Sequence, residues 1–206
     1  MTTISIPARD KLEDSLPFGS TYLVSSLLKE FNVRIRLVRN RNSKLGDYKP
    51  PQNGYTHRVS INMNLNRYAF LLTLIHELAH LSTWKTHKNR VKPHGAEWKV
   101  EFIRLMHPFL SEEVFPAELL PVVKKYMRNP KASSFSDTML VLAIRKYDVA
   151  KPFCTLQELA LNKLFATGNG RRFMKGEKLR KRYQCKELKT GKYYLFNPVA
   201  EVIPFG

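Results

Sequence analysis

The chain has 206 residues, of which 43% are hydrophobic, and its 35 lysines and arginines outnumber its 17 acidic residues, giving a formal net charge of +18. The first ten residues lack a basic start followed by an apolar run, and no apolar stretch approaches bilayer length. We therefore expect neither a signal peptide nor a transmembrane segment. Two widely separated cysteines, Cys154 and Cys185, fit a reducing compartment and an intracellular, cytoplasmic protein. The charge suits a partner with a phosphate backbone.

Hydrophobic periodicity predicts the first elements in chain order. Residues 17–30 have the apolar spacing of a helix, and residues 33–39 alternate as a half-buried strand does. A loop rich in proline and glycine at 49–54 precedes a second strand at 57–63. Asn66 is then predicted as the N-cap of a long helix whose leucines and isoleucine form an apolar stripe.

Residues 76–80 of that helix read His-Glu-Leu-Ala-His, which fits the H-E-x-x-H pattern of zinc-dependent hydrolases. On a helix, His76 and His80 share a face with Cβ atoms roughly 5–6 Å apart, so both rings can reach one metal at about 2.0–2.1 Å. Glu77 sits beside the first of them, where it can take a proton from a water on the metal. A lone histidine near a core is more often structural, but this pair with its glutamate favours a metal.

A zinc site needs a third protein ligand, and the sequence offers several. The metzincin position, ten residues after the first histidine, holds a threonine. His87 follows one residue later and would lie about 10 Å along the helix axis from His80. A thermolysin-like site would use a downstream glutamate, Glu97 or Glu101. His94, in a Pro-His-Gly turn before a second predicted helix, is the ligand we favour.

Prolines at 108, 116 and 121 divide the next part of the chain into short helical pieces, and residues 129–134 read as a linker. Ser136 or Asp137 is then predicted to cap a helix that runs through Tyr147. Thr155 and Glu158 have the spacing of a capping box for another short helix. The C-terminal part turns to strands, predicted at 179–188 and 192–197 around a glycine-bearing hairpin loop.

The C-terminal strands are strongly basic, with ten basic and two acidic residues between positions 171 and 192. Alternation along a strand would place basic side chains on one face, and aromatic residues are interleaved with them in the sequence. The basic side chains could contact phosphates, and the aromatic rings could stack on unpaired bases. The alternative is a solvated hairpin whose aromatics form the core of a small sheet. The candidate nucleic-acid-binding residues are Arg171, Arg172, Lys175, Arg180, Arg182 and Lys186.

The metal helix and the turn after it, HELAHLSTW followed by HGAEWK, resemble the SprT-like zinc metalloproteases, a family that includes proteases for DNA–protein crosslinks. The resemblance extends upstream through the basic–Gly–aromatic segment 41–48 and covers about residues 15–110. It implies His76, His80 and His94 as ligands of one Zn²⁺ and Glu77 as the general base. Many relatives carry a C-terminal zinc ribbon with paired cysteines, and this chain has no C-x-x-C, so we expect no second zinc.

Together these features predict an α+β protein with two domains. Residues 1–130 would form a zincin-like metalloprotease core, a small sheet plus the H-E-x-x-H helix, and residues 131–206 a basic helix followed by a small β hairpin or sheet module without a complete zinc ribbon. The expected activity is zinc-dependent peptide hydrolysis on nucleic-acid-associated proteins in the cytoplasm or nucleoid, with DNA favoured. The strand at 58–64 could pair with an extended substrate, and Tyr55, His57 and Arg104 are candidates for a second oxyanion donor.

Two other functions compete with proteolysis. The first is a basic nucleic-acid-binding or transcription-associated protein that keeps the zinc site for structure alone. Glu77 argues against it, since a structural zinc needs no such carboxylate and usually has a fourth Cys or His ligand. The second is a zinc hydrolase acting on something other than protein. A deformylase-like enzyme would need a cysteine upstream of the motif, and both cysteines lie downstream.

Overall fold

The computed structural model describes residues 12–39, 41, 44–52, 54–132, 137–149 and 153–205, and the fold is mixed α+β. Contacts between residues divide the chain into two compact units, Met1–Asp148 and Val149–Gly206, each with a hydrophobic core of its own. The domain boundary between residues 130 and 131, which the sequence suggested, concerns domains that fold independently, and it stays a prediction. Within the described ranges, no helix combines the length and the apolar character needed to cross a bilayer.

The first unit consists of helices around a small sheet. Its helices are α1 (Thr21–Phe31), α2 (Arg67–His87), α3 (Ala96–Met106), α4 (Leu120–Met127) and α5 (Thr138–Arg145), with a 3-10 turn at His107–Phe109. Its strands are β1 (Val33–Val38), β2 (Gly46–Lys49) and β3 (His57–Asn62). The helices and strands predicted from periodicity are therefore confirmed in kind, with ends that shift by a few residues. Strand β2 was not predicted.

The three strands lie in the order β1-β3-β2, with β1 parallel and β2 antiparallel to β3. Strand β3 is therefore the central strand, and its neighbours use both of its edges. The prediction that this strand pairs with a substrate backbone is wrong for that reason. In the described sheet, β2 is the edge strand next to the metal helix. The outer side of β2 is therefore the free hydrogen-bonding edge at that position.

Helix α2 is the centre of the first unit. The Asn66 side chain accepts hydrogen bonds from the backbone N–H groups of Tyr68 and Ala69 at 3.1 and 3.0 Å, so the predicted N-cap is confirmed. Most of the helix from Ala69 to Thr83 is buried, on more than one face, because the sheet, α3 and other core residues surround it. The hydroxyls of Thr73 and Thr83 donate hydrogen bonds to the backbone carbonyls four residues earlier, and this allows these polar side chains to lie in the core.

The second unit is a six-stranded sheet of order β4-β9-β5-β6-β7-β8. Its strands are β4 (Cys154–Thr155), β5 (Leu164–Ala166), β6 (Arg172–Leu179), β7 (Arg182–Glu187), β8 (Tyr193–Phe196) and β9 (Glu201–Phe205). The predicted hairpin of β7 and β8 is present, but Leu179 ends β6 and does not begin β7. Thr155 and Glu158 do form the predicted capping contact, at 2.6 Å from the Thr155 N–H, yet only a turn follows it.

Candidate metal centre

Three histidine rings converge between α2 and the turn before α3. The Nε2 atom of His94 lies 3.1 Å from Nε2 of His76 and 2.9 Å from Nε2 of His80, and the possible ligand atoms all lie within 4.8 Å of one another. Two ligand nitrogens on a tetrahedral zinc with Zn–N bonds of about 2.0–2.1 Å are separated by about 3.3 Å. The donor set and its spacing therefore fit one small cation with an affinity for imidazole.

A strained turn delivers His94 to this cluster. The Gly95 N–H donates to the Lys92 carbonyl at 3.0 Å, which closes a β-turn with Pro93 and His94 at its centre. Proline favours the first central position, but the second has φ of +58° and holds a histidine where such turns prefer glycine or asparagine. A non-glycine residue in this region costs about 1 kcal/mol or more, and such strain concentrates at functional sites. The chain tolerates that cost at the residue whose ring completes the cluster.

Trp98 forms the apolar wall of the cluster. Its indole is 1% exposed, and its ring centroid lies 4.7 Å from that of His76, 5.5 Å from that of His80 and 4.7 Å from that of His94. Burial lowers the pKa of His76 to about 3 and that of His80 to about 4, and it also lowers the pKa of His94. All three imidazoles are therefore neutral at pH 7, which is the form that coordinates metals.

Glu77 lies on α2 next to His76 and is 7% exposed. Burial and the nearby Asp47 raise the pKa of its carboxyl to about 8, against the opposing effect of the Tyr48 N–H that hydrogen-bonds to it. A cation held by the neighbouring histidines would lower this pKa again, because it favours the carboxylate. A buried carboxyl with a pKa shifted toward neutrality is the kind of group that accepts and returns a proton at pH 7.

Strand β2 packs directly against Glu77, and glycine is what permits it. A Cβ atom added to Gly46 would lie 2.6 Å from the Glu77 Oε1 atom, 2.7 Å from Cγ2 of Thr73 and 2.8 Å from Cγ of Glu77. No side chain can be accommodated there unless β2 or the carboxylate moves. Periodicity in the sequence does not reveal this role of Gly46, although the resemblance already singled out the segment 41–48.

Side chains of β3 anchor the segment that leads into β2. The Arg41 guanidinium donates to Oδ1 of Asn62 at 2.9 Å and to Oγ of Ser60 at 3.0 Å. In return, Asn62 Nδ2 donates to the backbone carbonyls of Arg41 and Lys44, both at 3.1 Å. This exchange holds the approach to β2 on the sheet, and through β2 it fixes the backbone beside Glu77.

The other candidate ligands have different partners or positions. Among the described residues, His76, His80 and His94 are the group that could hold a metal, and it includes neither His87 nor Glu97 nor Glu101. The carboxylate of Glu101 instead receives hydrogen bonds from Ser82 and Arg104, which joins α2 to α3.

The three candidate oxyanion donors are also engaged elsewhere. Arg104 pairs with Glu101 at 2.8 Å. Nδ1 of His57 hydrogen-bonds to the Tyr48 hydroxyl at 2.9 Å, and the Tyr55 ring lies under the guanidinium of Arg58. These contacts give no reason to choose one of them for the oxyanion.

In the second unit, the structure separates the six basic candidates into two groups. Lys175 is 5% exposed and donates to the backbone carbonyls of Gln157 and Leu159, so its ammonium is directed away from solvent. Arg171 pairs with Glu187 at 2.8 Å and lies 4.5 Å from the centre of the Tyr194 ring. The other four side chains are exposed, as Arg171 also is: Arg172, Arg180, Arg182 and Lys186.

Comparison with known proteins supports the resemblance found in the sequence. The SprT-like family model matches residues 21–116, a range that contains the three histidines, Glu77 and Gly46. Searches of curated proteins and of solved structures gave no significant match. The matched range begins with α1 and ends before α4, and it includes the whole three-stranded sheet.

Proposed function

Because residues 21–116 match the SprT-like family, we propose that the chain is a zinc-dependent metalloprotease. The observation that carries the proposal is the convergence of His76, His80 and His94 next to the buried carboxyl of Glu77. Three protein ligands with a further position left for water are typical of catalytic zinc, whereas structural zinc commonly has four protein ligands. Neutral imidazoles and an apolar wall at Trp98 fit such a centre.

In this mechanism the three histidines would hold one Zn²⁺. The bound ion supplies Lewis-acid chemistry, lowering the pKa of water and polarising the scissile carbonyl. A carboxylate oxygen of Glu77 accepts the proton that the attacking water loses. Glu77 then delivers this proton to the nitrogen of the leaving amine. Gly46 and the Tyr48 N–H keep that carboxylate in place during both transfers. Trp98 limits the water around the histidines.

The edge of β2 is a suitable place for the substrate backbone. It borders the metal helix, and in the described sheet no strand pairs with its outer side. An extended peptide added there would gain main-chain hydrogen bonds while its scissile carbonyl lies near Glu77.

The substrates we propose are proteins bound to nucleic acid, with DNA favoured, and DNA–protein crosslinks are an example. The net charge of +18 and the exposed side chains of Arg172, Arg180, Arg182 and Lys186 support this part of the proposal. Such contacts hold the protein near its substrate without reading bases. A protein with this role works where DNA is, in the cytoplasm or nucleoid.

The test compares the parent protein with Glu77→Gln and with the control Glu97→Gln. Zinc is measured by elemental analysis, and cleavage is followed on a basic protein bound to DNA. We expect all three proteins to hold about one zinc per chain, and only Glu77→Gln to lose cleavage, because an amide cannot accept the proton. Unchanged cleavage by Glu77→Gln would remove this residue from the mechanism, and a parent that neither binds zinc nor cleaves would overturn the proposal.

A further inference from the structure

The outer face of the three-stranded sheet carries a row of cations that the proposed activity does not use. Strand β1 alternates, with Val33 turned toward the core and Arg34 exposed, as expected for a half-buried strand. In the register of the sheet, Arg34 lies beside Arg58 of β3, and Arg58 lies opposite Lys49 of β2. Three basic residues on three adjacent strands therefore form one continuous row. We call Arg34, Lys49 and Arg58 the sheet row.

The sheet row works against the stability of the sheet that carries it. Neighbouring strands are about 4.8 Å apart, and like charges directly opposite each other are destabilising. Among the described residues, no carboxylate forms an ion pair with any member of the row. Asp47, the acidic residue on this face, pairs with Lys44 at 2.8 Å. The Nε atom of Arg58 is buried and has no hydrogen-bond partner in the described part of the chain.

More positive charge surrounds the row on the same face. Arg36 is exposed beside Ser60 in the next register position, and the guanidinium of Arg41 contacts Ser60 and Asn62, which are uncharged. Among the described residues, the face therefore holds five cationic side chains besides Lys44, which pairs with the one carboxylate. A flat surface of this kind attracts a polyanion and releases the counterions of that polyanion on contact.

An aromatic ring adds a second feature that points to nucleic acid. The guanidinium of Arg58 lies 4.7 Å from the centre of the Tyr55 ring, and the Tyr55 side chain is 56% exposed. Arginine stacked on an accessible aromatic ring, next to further cations, is the combination on which unpaired bases stack while their phosphates are neutralised. An acidic peptide would use the charges but has no base to stack.

We propose that the outer face of this sheet, centred on the sheet row and Tyr55, binds single-stranded nucleic acid through its phosphates. This surface belongs to the first unit and is additional to the basic residues of the second unit. The inference goes beyond the proposed protease activity and depends on binding alone.

The experiment measures binding of a fluorescent 20-nucleotide oligothymidylate to the full-length protein by anisotropy over a series of salt concentrations. The variant carries Arg34→Gln, Lys49→Gln and Arg58→Gln. The control makes the same charge change on exposed residues at the end of α4, with Lys124→Gln, Lys125→Gln and Arg128→Gln. We expect the sheet-row variant to bind about tenfold or more weakly and its salt slope to fall by about 2, while the control stays near the parent.

Thermal unfolding and zinc content are measured on the same samples. Because like charges are removed, we expect the sheet-row variant to melt at or above the parent temperature with its zinc unchanged. A variant that binds the oligonucleotide like the parent at every salt concentration overturns the inference. Equal weakening by the control overturns it too, since it would reflect net charge alone. Competition by polyglutamate as strong as that by unlabelled oligonucleotide would assign the face to acidic protein and would also overturn it.

Discussion

Gly46 and Glu77 approach each other so closely that a single added methyl group would meet the carboxylate. The hypothetical Cβ of residue 46 lies 2.6 Å from Oε1 of Glu77, well inside van der Waals contact. The proposed general base is therefore positioned by a residue with no side chain, on a strand that sequence periodicity did not reveal.

We expect Gly46→Ala to lower the kcat of peptide cleavage by about 10- to 100-fold, because a displacement near 1 Å in a catalytic group has an effect of that size. Zinc content should stay at the parent value, since the three atoms nearest the added Cβ belong to Glu77 and Thr73 and not to a histidine. The control is Gly168→Ala, where an added Cβ meets nothing within 4 Å. A Gly46→Ala protein with parental kcat would show that the carboxylate tolerates the methyl group.

The strained turn at His94 allows its two roles to be separated. Asparagine accepts positive φ readily, so His94→Asn should keep the turn and the fold but lose most of the zinc. His87→Ala and Glu97→Ala should keep the metal. Zinc content by elemental analysis and circular dichroism are the measurements. Full zinc in His94→Asn, with loss in Glu97→Ala, would favour a thermolysin-like ligand set.

Glu101 should stabilise the packing of α2 on α3 in a pH-dependent way. Burial alone would raise the pKa of its carboxyl, but hydrogen bonds from Arg104 and Ser82 outweigh it and lower that pKa. The stabilisation is therefore complete above the pKa of the unfolded chain and is lost as pH falls through the folded value. We expect Glu101→Gln to reduce the free energy of unfolding by about 1–2 kcal/mol at pH 7. Denaturant titrations at pH 7 and pH 3 should show the difference shrinking in acid.

Substitution of two lysines of the second unit should affect different properties, stability for Lys175 and DNA binding for Lys186. Lys175→Ala removes the donor to two carbonyls and opens a cavity, so we expect a loss of about 2–4 kcal/mol in the stability of this unit. Lys186→Gln changes an exposed side chain and should leave unfolding unchanged while weakening DNA binding. Thermal unfolding and anisotropy on both variants provide the comparison. Equal stability of the two variants would contradict the structural role of Lys175.

The sequence could predict those features that depend on residues close together in the chain. Helix α2 and its Asn66 cap were predicted, because a cap and an apolar stripe depend on residues within a few turns. The resemblance to the SprT-like family is confirmed over residues 21–116, whereas zinc binding stays a prediction. The contact of Gly46 with Glu77 depends on strand pairing between distant segments, which periodicity does not specify.

Lys175 shows the same limit in the second unit. Its position in a basic run suggested an exposed cation. Lys175 instead shares the inward face of β6 with Phe173, two residues earlier, and lies opposite the buried Cys185 of β7. The carbonyls of Gln157 and Leu159 accept hydrogen bonds from its ammonium. Composition alone cannot show which member of a basic run is turned inward.

The Asn66 cap has a consequence for where a recombinant fragment of the protein can end. Its amide Nδ2 donates to the Ile144 carbonyl at 3.1 Å and to Oδ1 of Asp148 at 2.6 Å, so the start of the metal helix is tied to the end of α5. Leu140 and Ile144 of α5 also belong to the core that surrounds α2. A recombinant fragment that stops at residue 116, where the family match ends, would lack these partners and expose that core. Expression of the catalytic part alone should therefore begin from a fragment that extends through Asp148.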